Sequence, residues 1–493
     1  MIFLTVRASL RLPEYSDFLS VRAGAVCPGP FVISLILRIF AYFCAIMNIR
    51  TVFISAVLLL TAFAEVRAAQ EWSLRDCIEY AWEHNLSIKQ QEIQVRRSEN
   101  ELLKSKLDFV PSFNASVGYN LNWGRSVDLQ NLEIIKNKLT QGTSAQVTAS
   151  ISVLDGLSKY NTLRGNKVAL SISLQEVERL KDEISVSITQ AFLQILLSEK
   201  ILEAARESFA SIQAQRDRTA VLVEAGSQPY SSLLEIESQV ASERVQLVTA
   251  GSQVTENMLA LRQLLDLGYD TAFAISAPDI DFMVDTYTPE NIDEIYASAL
   301  SMPRIRGAEL ELQKSIYDLK ISQGRFYPTI SVAASYGTFY SSTSRSPIGA
   351  EDYTFFNQLR DNINPTLGFS LSIPIFNSWS VRTEVKNARL NRDSKEIELM
   401  SARQQLYKDI QTAVTEAGTY WSKYVAAEAN MKAMEESFRY VEEKFGIGVL
   451  NATDYTVSRT NLFKARSEYL QAKYQFVFQL KIIDFYKGIP ISL

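Results

Sequence analysis

Histidine is almost missing from this chain: His84 is the only one in 493 residues. A histidine-based catalytic triad could be built only around it, and a multi-histidine metal site is excluded. Cysteine is scarce too, and Cys27, Cys44 and Cys77 lack metal-ligand spacing. There is no GxxxxGK(S/T) loop. The nearest approach to a dinucleotide fingerprint, Gly446-Ile447-Gly448, carries Asn451 where the third glycine belongs and follows a helical stretch instead of a strand. A formal net charge of -5 offers no basic footprint for nucleic acid. These absences describe a chain without catalysis, cofactor or metal, in which His84, near a helix end, reads as a surface or capping residue. What remains, 47% hydrophobic and 21% charged residues, is ordinary for a folded protein.

Charge is also absent from four segments that alternate between apolar and polar residues. In Ser112 to Trp123, Phe113, Ala115, Val117, Tyr119, Leu121 and Trp123 alternate with Ser, Asn and Gly. Segments 144–154 and 366–376 repeat the pattern, and 329–340 is a looser copy. A period of two with one apolar and one uncharged polar face predicts β-strands, and lengths of about ten residues fit strands that cross a membrane. Nothing else in the chain reads as sheet.

The N-terminal part reads as a targeting region. Residues 47–69 have the shape of a secretory signal: Arg50, an apolar run from Val52 to Ala64, and small residues near Ala68. Residues 1–46 then read as an upstream extension ahead of Met47; the alternative is a membrane anchor at 31–64. With the signal removed, Cys77 is the only thiol, which excludes a disulfide within the mature chain. No cysteine closely follows the apolar run, so a lipid anchor is not expected.

Proline and glycine mark the remaining organisation. A short helix is expected over Ser73 to Asn85, with Ser73 and Asp76 at its start, and a longer one over Leu86 to Asp108, stopped by Pro111. From Ser158 to about Val223 there is no proline and only Gly165, and Ile184, Ile188, Ala191, Ile195, Ser198, Leu202, Ala205, Phe209 and Ile212 step by fours and threes. That is a heptad seam on a long helix. A turn at 225–229 and a helix to about Leu267 follow. The plan then recurs, Phe109-Val110-Pro111 matching Phe326-Tyr327-Pro328 and Gly226 matching Gly448. The second long helix, about Trp379 to Phe445, carries its own seam from Leu406 to Phe445 before a turn at 445–451. Two repeats, 70–280 and 281–493, are therefore expected. Each long helix would span about 100 Å, and the two shorter helices of each repeat, stacked end to end, would nearly match it.

Four strands cannot close a membrane barrel, because open edges in lipid leave backbone groups unpaired. Three chains would supply 12 strands, an even number within the range of outer-membrane barrels. On these residues the chain resembles the TolC-like outer-membrane efflux proteins, from Trp72 to Gly488. The likeness is carried by SLRDCIEYAWEHNLSIK at 73–89, the duplicated F-x-P, VEAGSQPYSSLLEIESQVASER at 223–244 and EKFGIGVLNATDYTVSRTNLFKARSEYLQAKY at 443–474. The resemblance implies an α+β membrane protein: a homotrimeric 12-stranded β-barrel continuing into a periplasmic α-helical barrel. It implies an outer-membrane exit duct for efflux or type I secretion in a Gram-negative bacterium, working with a periplasmic adaptor and an inner-membrane RND or ABC transporter. It further implies that the turns, with Gly226, Ser227, Pro229, Gly446, Gly448 and Asn451, meet the adaptor, and that Asp454 contributes to a periplasmic gate. Asp454 also has a plain reading as a helix-start carboxylate. The second gate aspartate of the family falls on Val457 and a latch arginine on Leu450, so part of that gate is missing here. The competing reading is a periplasmic coiled-coil protein that binds partners without forming a pore.

Overall fold

The computed structural model describes residues 71–127, 134–268, 273–276, 278, 287–344 and 353–492. The extension at 1–46, the signal at 47–69 and the boundary at 280/281 lie outside the described residues. After a short strand β1 (Glu71–Trp72) come α1 (Leu74–His84), α2 (Leu86–Leu107), β2 (Ser112–Val127), β3 (Ile134–Asp155), α3 (Ser158–Glu224) and α4 (Tyr230–Leu264). Then follow β4 (Ala274–Ile275), α5 (Ile292–Ala299), α6 (Pro303–Gly324), β5 (Thr329–Ser341), α7 (Phe355–Asp361), β6 (Asn364–Ser372), α8 (Ser380–Gly446) and α9 (Ala452–Tyr486). The order helix, helix, strand, strand, long helix, helix occurs twice, with the short α7 added between β5 and β6.

Local chemistry accounts for the boundaries. Ser73 and Asp76 form a reciprocal capping box at the start of α1, and those bonds from Ser73 hold the Asp76 carboxyl below its usual range. Pro303 opens α6 at its first position. Both long helices begin with a residue in the left-handed region, Leu157 at φ 64° and Trp379 at φ 65°. In the first case the Asp155 side chain accepts the Lys159 amide at 3.0 Å, satisfying one free donor of the helix start.

The two long helices are 67 residues each, about 100 Å. They stand on either side of α6 and α9, while α2 and α4 flank α3 on its other side. The shorter helices of 22 and 35 residues meet end to end. Asn85 Nδ2 donates to the Leu264 carbonyl and the Leu86 amide to Asp266 Oδ2, joining α2 to α4. Ile305 and Ile483 meet in one apolar cluster where α6 abuts α9. The helices thus form four staves, α8, α6 with α9, α3, and α2 with α4. Ile188, Ile195, Ser198, Ala205 and Ile212 of the first seam are buried, as are Leu406, Ile410, Ala413 and Ala417 of the second. The largest core cluster joins α1 to α3 and α9 around Phe192, Leu196 and Phe476.

The strands form a four-stranded antiparallel sheet in the order β2-β3-β5-β6. Phe113, Ala149, Ala334 and Leu367 stand opposite one another in one row; Asn114, Thr148, Ser335 and Thr366 stand in the next. Directly opposed residues share a face, so the apolar sides of all four strands coincide. That face is open: Phe113 is 73% exposed, Val117 79% and Phe369 74%.

Several strand limits differ from the sequence expectation. The second strand starts at Ile134, not 144, because the polar residues expected to form a loop pair with β2, Thr140 opposite Asn122 and Gln141 opposite Leu121. The first strand likewise continues to Val127. The fourth runs from Asn364 to Ser372 and stops short of 376, since Pro374 has no amide to donate to a ladder. Phe339, opposite Ser144, breaks the polar face of β5. Sheet also occurs where none was expected: β1 and β4 pair in parallel, Glu71 with Ala274 and Trp72 with Ile275. Two-residue strands leave no periodicity to read.

Candidate functional site

The sheet lies at one end of the staves and two helix turns lie at the other. Each turn is closed by the same pair of backbone bonds. At the end of α3 the Ser227 amide donates to the Leu222 carbonyl at 2.9 Å and the Gly226 amide to that of Val223 at 3.0 Å. At the end of α8 the Val449 amide donates to Lys444 at 3.0 Å and the Gly448 amide to Phe445 at 3.1 Å. This 6→1 and 5→2 pattern needs a left-handed residue, and Gly226 (φ 71°) and Gly448 (φ 77°) supply it. Pro229 and Asn451 then stand at the N-caps of α4 and α9.

Asp454 lies in the first turn of α9. Its amide donates to Asn451 Oδ1 at 2.8 Å, and the residue is exposed. Val457, one turn further on, is exposed as well. The turns also bear apolar residues that sequence reasoning passed over: Val221, Tyr230, Ile447 and Val449 are each at least 63% exposed. Their only sequence signal is apolar character beside a helix-ending glycine.

Above the turns, polar groups tie the second helix pair to the first. Arg459 of α9 donates through Nε (3.1 Å) and Nη2 (3.0 Å) to Ser208 Oγ of α3, and Ser208 donates to Glu243 Oε2 of α4 at 3.0 Å. Arg459 and Glu243 are both almost completely buried. Arg466 reaches Glu207 Oε2 at 2.7 Å, and Arg218 Nη2 donates to the Gly446 carbonyl at 3.1 Å. Tyr455 is buried between Phe445, 4.6 Å between ring centroids, and Phe438, and burial raises its pKa. None of this was legible in the sequence, because Arg459 and Ser208 are 251 positions apart.

Higher up, where α6 meets α9, a cavity of about 490 Å³ is lined by Asp182, Met302, Ile305, Leu406 and Phe485 among others. Burial, reinforced by Glu178 and Glu183, pushes the Asp182 carboxyl up to about 6. His84 closes α1, its ring stacked on Tyr80 and its Nδ1 donating to the Tyr80 carbonyl. Cys77 is buried and its thiol is pushed up to about 12, chiefly by that burial. Among the described residues no helix is long and apolar enough to cross a membrane.

A four-stranded sheet with one open, predominantly apolar face, set on staves of long helices, defines an outer-membrane channel subunit fold. The chain belongs to the family described as "Outer membrane efflux protein", whose profile matches residues 77–266 and 295–481. It is similar to outer membrane protein TolC of Escherichia coli, 22% identical over 350 residues that cover 69% of this chain and 68% of that one. It is also similar to outer membrane protein OprJ of Pseudomonas aeruginosa, 21% identical over 441 residues, 84% of this chain and 83% of OprJ. In fold it matches the CmeC outer membrane channel of Campylobacter jejuni with a TM-score of 0.71 at 15% identity, covering 84% of this chain and 85% of that one. The protein is an outer-membrane channel of an efflux system in a Gram-negative bacterium, with a large periplasmic helical part. The family is one of transport ducts and not of enzymes, and the pore-less coiled-coil reading is not favoured.

Proposed function

We propose that three copies of this chain close side by side into a 12-stranded barrel over a ring of 12 helical staves. The duct is passive and non-enzymatic, with export driven by an inner-membrane RND or ABC transporter that delivers substrate through a periplasmic adaptor. The observation that carries this reading is the sheet itself. Strands β2 and β6 are its two edges, and its apolar face is exposed from Phe113 to Phe369. In water that face would cost about 25 cal/mol per Å² of apolar surface, and in lipid the open edges would cost several kcal/mol per unpaired group. Pairing β2 of one chain with β6 of the next satisfies the edges, and the closed barrel can then lay its apolar face against lipid, which removes both costs.

The duct is entered at the turn end. Three Asp454 carboxylates around the axis would favour cations at the constriction, and Gly226, Ser227, Pro229, Gly446, Gly448 and Asn451, with Val221, Tyr230, Ile447 and Val449, would meet the adaptor. Opening requires α8 and α9 to part from α3 and α4, which breaks the Arg459–Ser208–Glu243 brace. Cleavage after residue 69 would release a mature chain of two repeats, 70–280 and 281–493, with 1–46 absent from the exported protein.

Single-channel conductance of the purified trimer in a planar bilayer tests the reading. Asp454→Ala is expected to abolish cation preference, and Arg459→Gln to raise the open fraction by a shift of about 1–3 kcal/mol, the cost of a lost buried hydrogen bond. A protein released from membranes without detergent, or an assembled trimer that conducts in neither form, would overturn the duct.

A further inference from the structure

The junction between sheet and staves carries a second pattern. Lys167 on α3, and Arg382, Lys386 and Arg389 on α8, are all exposed and make no ion pair among the described residues. Residues 158–167 contain no acid, and the one acid of 380–389, Glu384, is paired with Arg325. The strands above are uncharged on both faces up to Trp123 on β2, Ser341 on β5 and Ser372 on β6, and from Leu139 to Leu154 on β3. Asp155, which ends β3 at the junction, accepts the Lys159 amide, and the chain as a whole has a net charge of -5. A local excess of positive charge is therefore built into this level.

These cations face outward. Arg382, Lys386 and Arg389 are spaced i, i+4 and i+7 and share one face of α8. Five turns beyond Arg389, about 18 residues, Tyr407 stands on that face with its ring edge-on to Tyr296 of α5 at 5.3 Å. Five turns beyond Lys167, Ser185 Oγ accepts the Trp82 indole N–H of α1 at 3.1 Å. In both repeats the cation thus lies on the side that bears the accessory helix. A ring of 12 staves about 10 Å apart has an inner radius of about 14 Å, which six accessory helices of similar width would fill. The accessory helices, and the cations with them, belong on the outside.

Amphipathic rings complete the pattern. The Arg382 guanidinium lies 4.0 Å from the centre of the Trp379 ring, which is 57% exposed. Next to it Ile375 and Phe376 are 93% and 80% exposed, continuing the apolar face. Helical side chains lean toward the N-terminus, and here the N-termini of α3 and α8 point at the sheet, so Lys167 and Arg389 reach back up from about 14 Å below.

Resting on the duct reading, we propose that this collar binds anionic phospholipid in the periplasm-facing leaflet of the outer membrane, the cations taking headgroup phosphates while Trp379 and Phe376 sit at the acyl boundary. Anionic surfaces attract such cations strongly enough for an enrichment on the order of fivefold per fully engaged charge. Equal amounts of phosphatidylglycerol and phosphatidylethanolamine in vesicles holding the trimer provide the probe, with the lipids retained after detergent extraction counted by native mass spectrometry. Phosphatidylglycerol is expected to be retained several-fold over phosphatidylethanolamine, and the K167Q/R382Q/K386Q/R389Q variant to retain both equally while still requiring detergent for release and still conducting. Equal retention by the wild type, or unchanged enrichment in the variant, overturns the collar and leaves the duct standing. So does a variant that changes ion selectivity and not lipid retention, because its cations would then face the lumen. Should the variant not assemble, wild-type enrichment must still collapse between about 0.1 M and about 1 M salt, and its persistence would equally overturn the proposal.

Discussion

Asp182 is held in a position that works against its own charge. Its carboxyl sits beside the cavity between α3 and α9, with Glu178 and Glu183 on the same helix, Lys181 as the opposing cation, and Arg179 and Arg304 also at the cavity wall. Because its folded pKa, about 6, lies above the ordinary 3.8, the folded chain holds this proton more firmly than the unfolded chain. Its contribution to stability is therefore fully present below the ordinary value and is lost as pH rises through about 6. Asp182→Asn should remove that slope and stabilise the protein at neutral pH by about 1 kcal/mol, after allowance for solvent screening of a partly exposed group. Thermal unfolding of the detergent-solubilised protein on either side of the transition reads this directly. A variant with the wild-type pH slope would assign the dependence to other groups.

At the scale of elements, two glycines test two different constraints. Gly448 has a left-handed φ of 77° and open space where a Cβ would stand, so Gly448→Ala should cost only the conformational penalty, about 1 kcal/mol. Gly156, at φ 65°, is pressed against the end of α6, and a Cβ there would lie 2.1 Å from the Gly324 carbonyl oxygen. Gly156→Ala should therefore lower the unfolding midpoint far more, by an overpacking cost of about 3 kcal/mol on top of the strain. Equal midpoint shifts in the two variants would show that the strand–helix joint yields freely. The turns, long helices and polar alternation were legible because each is a local signal: a glycine after a seam, a heptad, a period of two. The stacking of α2 on α4 followed from length alone. The Arg459–Ser208–Glu243 brace was not legible, since a buried arginine in a helix looks like a surface one until its distant partners are in place. The full reach of β3 was hidden because Lys138, Thr140 and Gln141 have the composition of a loop, and only the facing strand makes them sheet.

For the whole molecule, the unequal strands set which parts each compartment meets. A tilted strand crosses the bilayer in about 9–11 residues. The nine residues of β6 suffice for that, whereas β2 has 16 and β3 has 22. In the proposed barrel the β2–β3 hairpin, which starts at the helix junction, thus overshoots the far side by about 20 Å at a tilt near 45°. Arg125→Cys should accordingly react with a membrane-impermeant maleimide on intact cells, against a background kept low by the burial of Cys77; labelling only after cell rupture would reverse the orientation. In the proposed trimer an antibody approaching such a cell would meet three projecting hairpins before any part of the conduit. Immune selection could then remodel the residues beyond Gly124 while leaving the passage beneath them untouched.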